Sequence, residues 1–124
     1  MGRYLCVIVG GGAGSLARYL LGMAFVRRFP NASFAFGTFT INVTGSFLIG
    51  LVMTLLVERL HLPHYCQLIT VVGFLGGYTT FSSFEYDAYL AARAGNQSIA
   101  LLYLAASVIT GYAAVWLGVV VAKR

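Results

Sequence analysis

Residues Gly73 to Phe84 read GFLGGYTTFSSF, so that closely spaced glycines are followed at once by hydroxyl residues and phenylalanines. Glycine and hydroxyl residues crowded in this way disfavour a continuous helix, and we predict a break within the segment. A break exposes backbone groups that lipid cannot satisfy, so at membrane depth it is tolerated only where protein or a water-filled cavity surrounds it. The segment therefore predicts a buried or pore-lining site.

Long segments without charged residues lie on both sides of the predicted break. Residues 30–57, 60–84 and 94–122 contain no Asp, Glu, Lys or Arg, and each exceeds the roughly 20 residues that a helix needs to cross the hydrocarbon core. A further apolar segment near the N-terminus is also long enough, although it contains Arg18. We therefore predict an all-α membrane protein that forms a single transmembrane domain over residues 1–124. Its four transmembrane helices, the third of them broken, are expected roughly at 4–26, 36–60, 63–92 and 98–121.

The composition of the 124-residue chain argues against several classes of protein. The chain is 60% hydrophobic and 9% charged, with a mean hydropathy of +0.87, whereas about a quarter of the residues of a soluble domain are charged. The net charge of +5 does not indicate nucleic-acid binding, because no basic cluster exceeds two residues and the charges lie at the ends of the predicted spans, beside lipid head groups.

An enzyme is not expected either. No acidic residue is expected inside the membrane, and no nucleophile has a base beside it. His61 and His64 lie three residues apart, but no third ligand is near them, so they are not expected to form a metal site.

The basic residues predict how copies of the chain are arranged in the membrane. Four lie on the side of the N-terminus and three on the other side, so the positive-inside rule gives almost no preferred orientation. A chain with such balanced flanks can insert both ways, and four helices are too few to enclose a pore comfortably. We therefore predict an antiparallel, dual-topology homodimer. The two sets of basic residues are Arg3, Arg59, Lys123 and Arg124, and Arg27, Arg28 and Arg93.

The first helix carries glycines whose spacing has two interpretations. The sequence VIVGGGAGSLA at residues 7–17 looks like the glycine turn of a dinucleotide-binding fold, but that turn needs an acid about 20 residues later, and the first acid here is Glu58. Gly10 and Gly14 instead form a face of small residues for close contact between helices. Arg18 lies one turn further along this face, where it either bonds backbone carbonyls of neighbouring helices or acts directly on an ion.

Polar and aromatic residues on the second and third helices are candidates for binding an anion. Asn42 shares one face with Thr38 and Ser46. Its side-chain amide offers two uncharged donors to an anion, although an amide at this position could also simply tie two helices together. Phe81 and Phe84 share a face if the helix resumes after the break, and they either pack in the protein or turn their positive ring edges towards a pore.

The fourth helix and the break itself supply further candidates. Tyr103, Ser107 and Thr110 share a face of the fourth helix, and their hydroxyls either replace part of the water shell of an anion or bond back into their own helix. Backbone carbonyls freed at residues 76–80 could hold a small cation such as Na⁺.

Three segments of the chain resemble the bacterial Fluc (CrcB) family of fluoride channels in order, spacing and helix placement. These segments are GGGAGSLARY at residues 10–19, TFTINVTGSFLIG at residues 38–50 and GFLGGYTTFSSF at residues 73–84. The resemblance covers nearly the whole chain and implies an antiparallel, dual-topology homodimer with two fluoride pathways in the bacterial inner membrane. Fluoride enters cells from weakly acidic surroundings as HF and is trapped inside as the anion, and such a channel lets it leave passively down its electrochemical gradient.

The same resemblance implies roles for individual residues. Those expected to line the fluoride pathway are Asn42, Phe81, Phe84, Tyr103, Ser107 and Thr110. The backbone carbonyls of Gly76 and Thr79 look like the ligands of a structural Na⁺ at the dimer interface, and Arg18 matches the arginine of the family's first helix. No role is expected for Glu85 or Asp87.

Two other classes of protein have to be weighed against a channel. A small multidrug exporter is also a short, four-span chain that can pair antiparallel, but it needs a titratable carboxylate within a span, and the first helix here has Arg18 and no acid. A subunit that acts only as a scaffold would explain the packing glycines but not the polar face, the break and the paired phenylalanines together. Composition does not separate a channel from a fluoride/proton exchanger, and the resemblance alone favours the channel.

Overall fold

A computed structural model describes all 124 residues and contains helices and no strands. We number the helices α1 to α5 in chain order. Four of them are α1 (Gly2–Arg28), α2 (Phe36–Arg59), α4 (Phe81–Arg93) and α5 (Gln97–Lys123). The third, α3, is made of His64–Gln67, Leu68–Leu75 and Gly76–Tyr78 in succession. The turns at Thr54–Arg59 and at Leu68–Leu75 are π-helical.

Two extended residues separate α3 from α4. Thr79 has φ −80° and ψ 159°, and Thr80 has φ −152° and ψ 123°. The hydroxyl of Thr80 then accepts a hydrogen bond from the amide of Ser83 at 3.3 Å, which satisfies one of the free donors at the start of α4. The break predicted within residues 73–84 is therefore present.

Three helices are long and apolar enough to cross a membrane, namely α1, α2 and α5. The third span predicted from the sequence is not among them, because the break divides it into α3 and α4. Each of these is shorter than the roughly 20 residues of a membrane-crossing helix. The fold is thus all-helical, with three apolar helices that qualify as spans by length and composition.

Glycines bring α1 and α3 into close contact. A Cβ atom added at Gly10 would collide with the carbonyl oxygen of Ile69, and one added at Gly14 would collide with the carbonyl oxygen of Phe74. Successive glycines of α1 thus face successive turns of α3, so the two helices run parallel. Small residues at such a contact let the backbones of two helices approach closely.

Glycines also join α2 to α5. A Cβ atom added at Gly50 would collide with the carbonyl oxygen of Val115, and one added at Gly118 would collide with the carbonyl oxygen of Phe47. Ser46 lies beside Gly111 and Gly50 beside Val115, so α2 and α5 also run parallel to each other.

The C-terminal ends of α2 and α5 lie together. The guanidinium of Arg59 donates a hydrogen bond to the carbonyl of Ala122 at 2.7 Å, which satisfies one of the free carbonyls at the end of α5. Next to it, Lys123 and Glu58 form an ion pair at 3.6 Å between exposed side chains. These contacts place both helix ends on the same side of the molecule.

Little of the chain is buried within a single copy. Only 15 of 124 residues are buried, and a cluster of buried apolar side chains is formed by Phe84, Ala88 and Tyr103 with their neighbours between α4, α5 and the start of α2. Large apolar side chains such as Trp116, which is 64% exposed, cover the outside. A surface of this kind needs lipid or another protein chain as its neighbour.

Candidate functional site

A cavity of about 380 Å³ lies beside the break, among α2, α3, α4 and α5. We call it the break cavity. It brings together six residues predicted from the sequence to bind an ion, and these are Asn42, Gly76, Thr79, Phe81, Phe84 and Ser107. Ser46, which shares a helix face with Asn42, also lines it. Residues from four helices therefore meet at the point where the backbone is irregular.

Asn42 binds the backbone of the break directly. Its side-chain amide nitrogen donates to the carbonyl of Thr80 at 2.9 Å, and its amide oxygen accepts from the N–H of Thr80 at 2.9 Å. This pair of bonds satisfies both backbone groups of an extended residue that has no helical partner. An amide nitrogen has two hydrogens, so one donor of Asn42 remains for another acceptor. Asn42 therefore ties α2 to the break while a donor is left over at the cavity wall.

The two phenylalanines of the break cavity differ in their surroundings. Their ring centroids are 5.8 Å apart and the rings are tilted by 48°. Phe84 is 6% exposed, with its ring centroid 5.3 Å from that of Tyr103, whereas Phe81 is 70% exposed. Phe84 is thus part of the core, and Phe81 is presented on the outside of the single chain.

The three hydroxyl residues predicted on the fourth helix do not share one environment. Ser107 lines the break cavity, while Tyr103 packs among aromatic rings and Thr110 lies outside the cavity. The hydroxyls of Tyr103 and Ser107 are buried without a hydrogen-bond partner. The Thr110 hydroxyl donates to the carbonyl of Ala106 at 2.6 Å, which is the bond back into its own helix that the sequence left open as an alternative.

A second and larger cavity, of about 620 Å³, lies between α1, the loop before α2 and the start of α4. We call it the vestibule. Arg18 lines it and is half-buried, and no hydrogen bond or ion pair to Arg18 forms within the chain. The arginine therefore does not lock the helices of a single copy together through their carbonyls. Thr80 lines both the vestibule and the break cavity, so the two cavities adjoin at the break.

Asp87 is a site residue for which the sequence predicted no role. Its carboxylate accepts a hydrogen bond from the hydroxyl of Thr38 at 2.6 Å, and both residues line the vestibule. A half-buried acidic side chain therefore faces this cavity. One signal could have found it: Asp87 follows Phe84 by three residues and so shares its face of α4, opposite the polar face of α2.

The break leaves backbone oxygens free. No backbone amide donates to the carbonyls of Gly76 or Thr79, and the N–H of Thr80, which would close the last turn of α3, is taken by Asn42. Carbonyl oxygens are suitable ligands for hard cations. Nowhere in the chain do three His, Cys, Asp or Glu side chains come together for a metal ion.

Comparison with known proteins identifies the family. The family model described as "CrcB-like protein, Camphor Resistance (CrcB)" matches residues 5–119. The fluoride-specific ion channel FluC of Solibacter usitatus is 56% identical over 122 residues, which cover 98% of this chain and 99% of that protein. The fluoride-specific ion channel FluC of Acidobacterium capsulatum is 47% identical over 122 residues, covering 98% and 97%. That of Gloeothece citriformis is 42% identical over 120 residues, covering 97% and 96%. These matches extend along almost the whole length of the chain, which also has the break and its cavity. The chain belongs to the CrcB family.

Proposed function

We propose that this chain is a subunit of a fluoride-selective ion channel in the bacterial inner membrane. The channel exports fluoride passively down its electrochemical gradient and thereby protects the cell from fluoride toxicity. The observation that carries the proposal is the break cavity, where uncharged donors and aromatic rings surround irregular backbone. Relatives that match the chain over almost their whole length are named as fluoride-specific ion channels. The chain is not an enzyme.

The break cavity has the chemistry that a desolvated anion needs. The free donor of Asn42 and the hydroxyls of Ser46 and Ser107 can replace part of a water shell without a fixed charge that would hold the anion. The rings of Phe81 and Phe84 can add their positive edges. A buried hydroxyl without a partner, such as that of Ser107, carries a cost of roughly 1–3 kcal/mol that a passing anion would relieve.

The vestibule would supply this cavity with anions. Arg18 is free of partners in the chain, and its charge raises the local concentration of anions at the cavity entrance. Tyr103 and Thr110 would continue the pathway along α5, as the resemblance implies.

Two copies in opposite orientations would complete the channel. Phe81 is 70% exposed although it lines the break cavity, and a second copy packed against it would enclose it. The contacts at Arg59 and Lys123 hold the C-terminal ends of α2 and α5 together, so these basic residues lie on one side of the molecule, as the nearly balanced count of basic residues on the two sides assumes. The proposed assembly is therefore an antiparallel, dual-topology homodimer.

The orientation of the copies is testable by labelling. In a variant with Cys6 and Cys66 replaced by serine, we would introduce Ser33→Cys in the exposed loop before α2. We expect a membrane-impermeant thiol reagent to modify about half of the protein in sealed vesicles and all of it after permeabilisation. Complete labelling or complete protection in the sealed vesicles would exclude dual topology.

A structural Na⁺ at the dimer interface would fit the break. The carbonyls of Gly76 and Thr79 lack amide donors, and a cation bound by them would neutralise oxygens that lipid cannot satisfy. Asn42 supports this arrangement, because it keeps the Thr80 amide away from those carbonyls.

Fluoride release from liposomes tests the proposed function. Purified protein is reconstituted with fluoride inside, K⁺ flux is started with valinomycin, and a fluoride electrode follows release, with chloride-loaded liposomes in parallel. We expect rapid loss of fluoride without a matching loss of chloride. No fluoride release from folded protein would contradict the channel.

A proton-coupled exporter is a second candidate, because such a carrier needs a titratable carboxylate and that of Asp87 lines the vestibule. Arg18 in the same vestibule weighs against an organic cation as the substrate. An exporter would move substrate against its gradient when a proton gradient is imposed, and a channel would not.

Replacing Phe81 with isoleucine is expected to lower fluoride flux about tenfold or more while the protein stays folded. The substitution removes the ring edges, a change of about 1.4 kcal/mol or more in the barrier, while an exposed side chain contributes little to the core. Phe47→Ile, at a half-buried ring that lines neither cavity, is the matched control. Equal flux in the Phe81→Ile variant and the wild type would mean that this ring only packs.

A further inference from the structure

Three successive residues at the break, Tyr78, Thr79 and Thr80, are each held by α2. Thr80 is bound through the side-chain amide described above. The methyl group of Thr79 occupies the space that a side chain at Gly45 would need. The hydroxyl of Tyr78 lies 2.9 Å from that of Thr44. The helix α2 therefore acts as a template for the path of the backbone through the break.

The other partners of the Thr44 hydroxyl indicate the direction of its hydrogen bond with Tyr78. The Thr44 hydroxyl oxygen lies 2.7 Å from the carbonyl oxygen of Thr40 and 3.1 Å from that of Ile41, and it donates its one hydrogen within its own helix. Its oxygen is then left to accept, so we assign the tyrosine hydroxyl as the donor. Removing the tyrosine hydroxyl would break this bond and leave the bond of Thr44 within α2 intact.

Tyr78 is placed to transmit this tether to the break. It is the last residue of α3, it is 8% exposed, and its ring stacks on that of Phe74 with centroids 5.9 Å apart and planes 8° apart. A ring held on one side by stacking and at its tip by a hydrogen bond cannot rotate freely. The last turn of α3, which carries the carbonyl of Gly76 and leads to that of Thr79, is therefore fixed relative to α2.

We propose that Tyr78 is a positioning residue that orients the free carbonyls of Gly76 and Thr79 through its hydrogen bond to Thr44 and thereby sets their affinity for Na⁺. The inference rests on the proposed function and deepens it, since it names the side chain that tunes the cation site from outside the set of ligands. Groups that orient metal ligands without touching the metal affect affinity strongly. A tyrosine that only filled space would contribute to stability at every Na⁺ concentration alike.

The test uses the purified protein in detergent and measures the unfolding temperature as Na⁺ replaces N-methylglucamine at constant ionic strength. We expect Na⁺ to raise the unfolding temperature of the wild type. In Tyr78→Phe, the Na⁺ concentration that gives half of the effect should rise about tenfold, at the lower end of the range for such positioning groups. Tyr112→Phe is the control, because Tyr112 is 78% exposed on α5.

A double-mutant cycle with Thr44→Val shows whether the effect passes through this bond. If it does, the double variant requires no more Na⁺ than either single variant, because both remove the same contact. Thr70→Val is the matched control for the threonine, since the Thr70 hydroxyl bonds only the Cys66 carbonyl within its own helix. Additive shifts in the cycle would overturn the proposal.

Two further outcomes would also overturn it. One is an unchanged Na⁺ requirement in Tyr78→Phe, and the other is an unfolding temperature lowered equally at all Na⁺ concentrations. Fluoride release by the wild type is measured in parallel. A wild type that conducts fluoride but is not stabilised by Na⁺ contradicts this inference alone, whereas a folded wild type that conducts no fluoride contradicts the proposed function.

Discussion

Replacing Asn42 with aspartate is expected to lower fluoride flux by at least about 100-fold. The carboxylate can still accept from the Thr80 amide, but it loses the donor to the Thr80 carbonyl and the free donor at the cavity wall. It also places a negative charge in the proposed path of the anion. At about 4 Å and an effective dielectric constant of about 20, the repulsion is roughly 4 kcal/mol, and about 2.7 kcal/mol in the barrier already gives 100-fold.

The measurement is the fluoride release assay, with the elution of each variant from a sizing column as a check on folding. Asn31→Asp adds the same charge in the exposed loop before α2 and should leave flux within about twofold of the wild type. Asn42→Ala separates the lost donors from the added charge, and it should be impaired less than Asn42→Asp. Wild-type flux in a folded Asn42→Asp variant would exclude the break cavity from the pathway.

Features that depend on neighbouring residues were predictable from the sequence. The break between Tyr78 and Phe81 follows from adjacent glycine and hydroxyl residues, and their effect on a helix is local. Likewise, Gly10 and Gly14 have the spacing of a contact face whatever the partner helix is. The partner, α3 of the same chain, became known only from the packing.

Contacts between residues that are distant in the sequence were harder to predict. Asn42 could be recognised as a polar residue in a span, but its pairing with both backbone groups of Thr80 depends on how α2 is set against the break. Asp87 was missed because an acid near the end of a span has the sequence pattern of a surface charge. Only its hydrogen bond with Thr38 shows that it faces the vestibule.

The hydroxyl residues of α5 show that helical periodicity predicts a shared face but not the surroundings of each residue. Tyr103, Ser107 and Thr110 are spaced three to four residues apart and so share a face. That face is broad enough to pack Tyr103 among aromatic rings, open Ser107 to the break cavity and leave Thr110 bonded to its own helix. Spacing alone does not reveal such differences in depth.

The contact between α1 and α3 supports the second large prediction. Replacing Gly14 with alanine is expected to destabilise the protein by about 2 kcal/mol or more, as overpacking does, and so to lower the unfolding temperature by roughly 10 °C. A Cβ atom at this position would meet the carbonyl of Phe74 and lie 2.9 Å from the amide nitrogen of Tyr78. Both obstacles are backbone atoms, so no side-chain rotation relieves them. The measurement is thermal unfolding in detergent.

Gly12→Ala is the matched control, and it should act in the opposite direction. No atom lies within 4 Å of a Cβ added at Gly12, and alanine is a better helix former than glycine by about 1 kcal/mol. The two substitutions change the same atoms two residues apart in α1, so a difference in sign isolates the contact with α3. Because this contact reaches Tyr78, Gly14→Ala should also impair fluoride flux in the protein that remains folded. Equal stability of the Gly12→Ala and Gly14→Ala proteins would show that α1 does not pack on α3 through this glycine face.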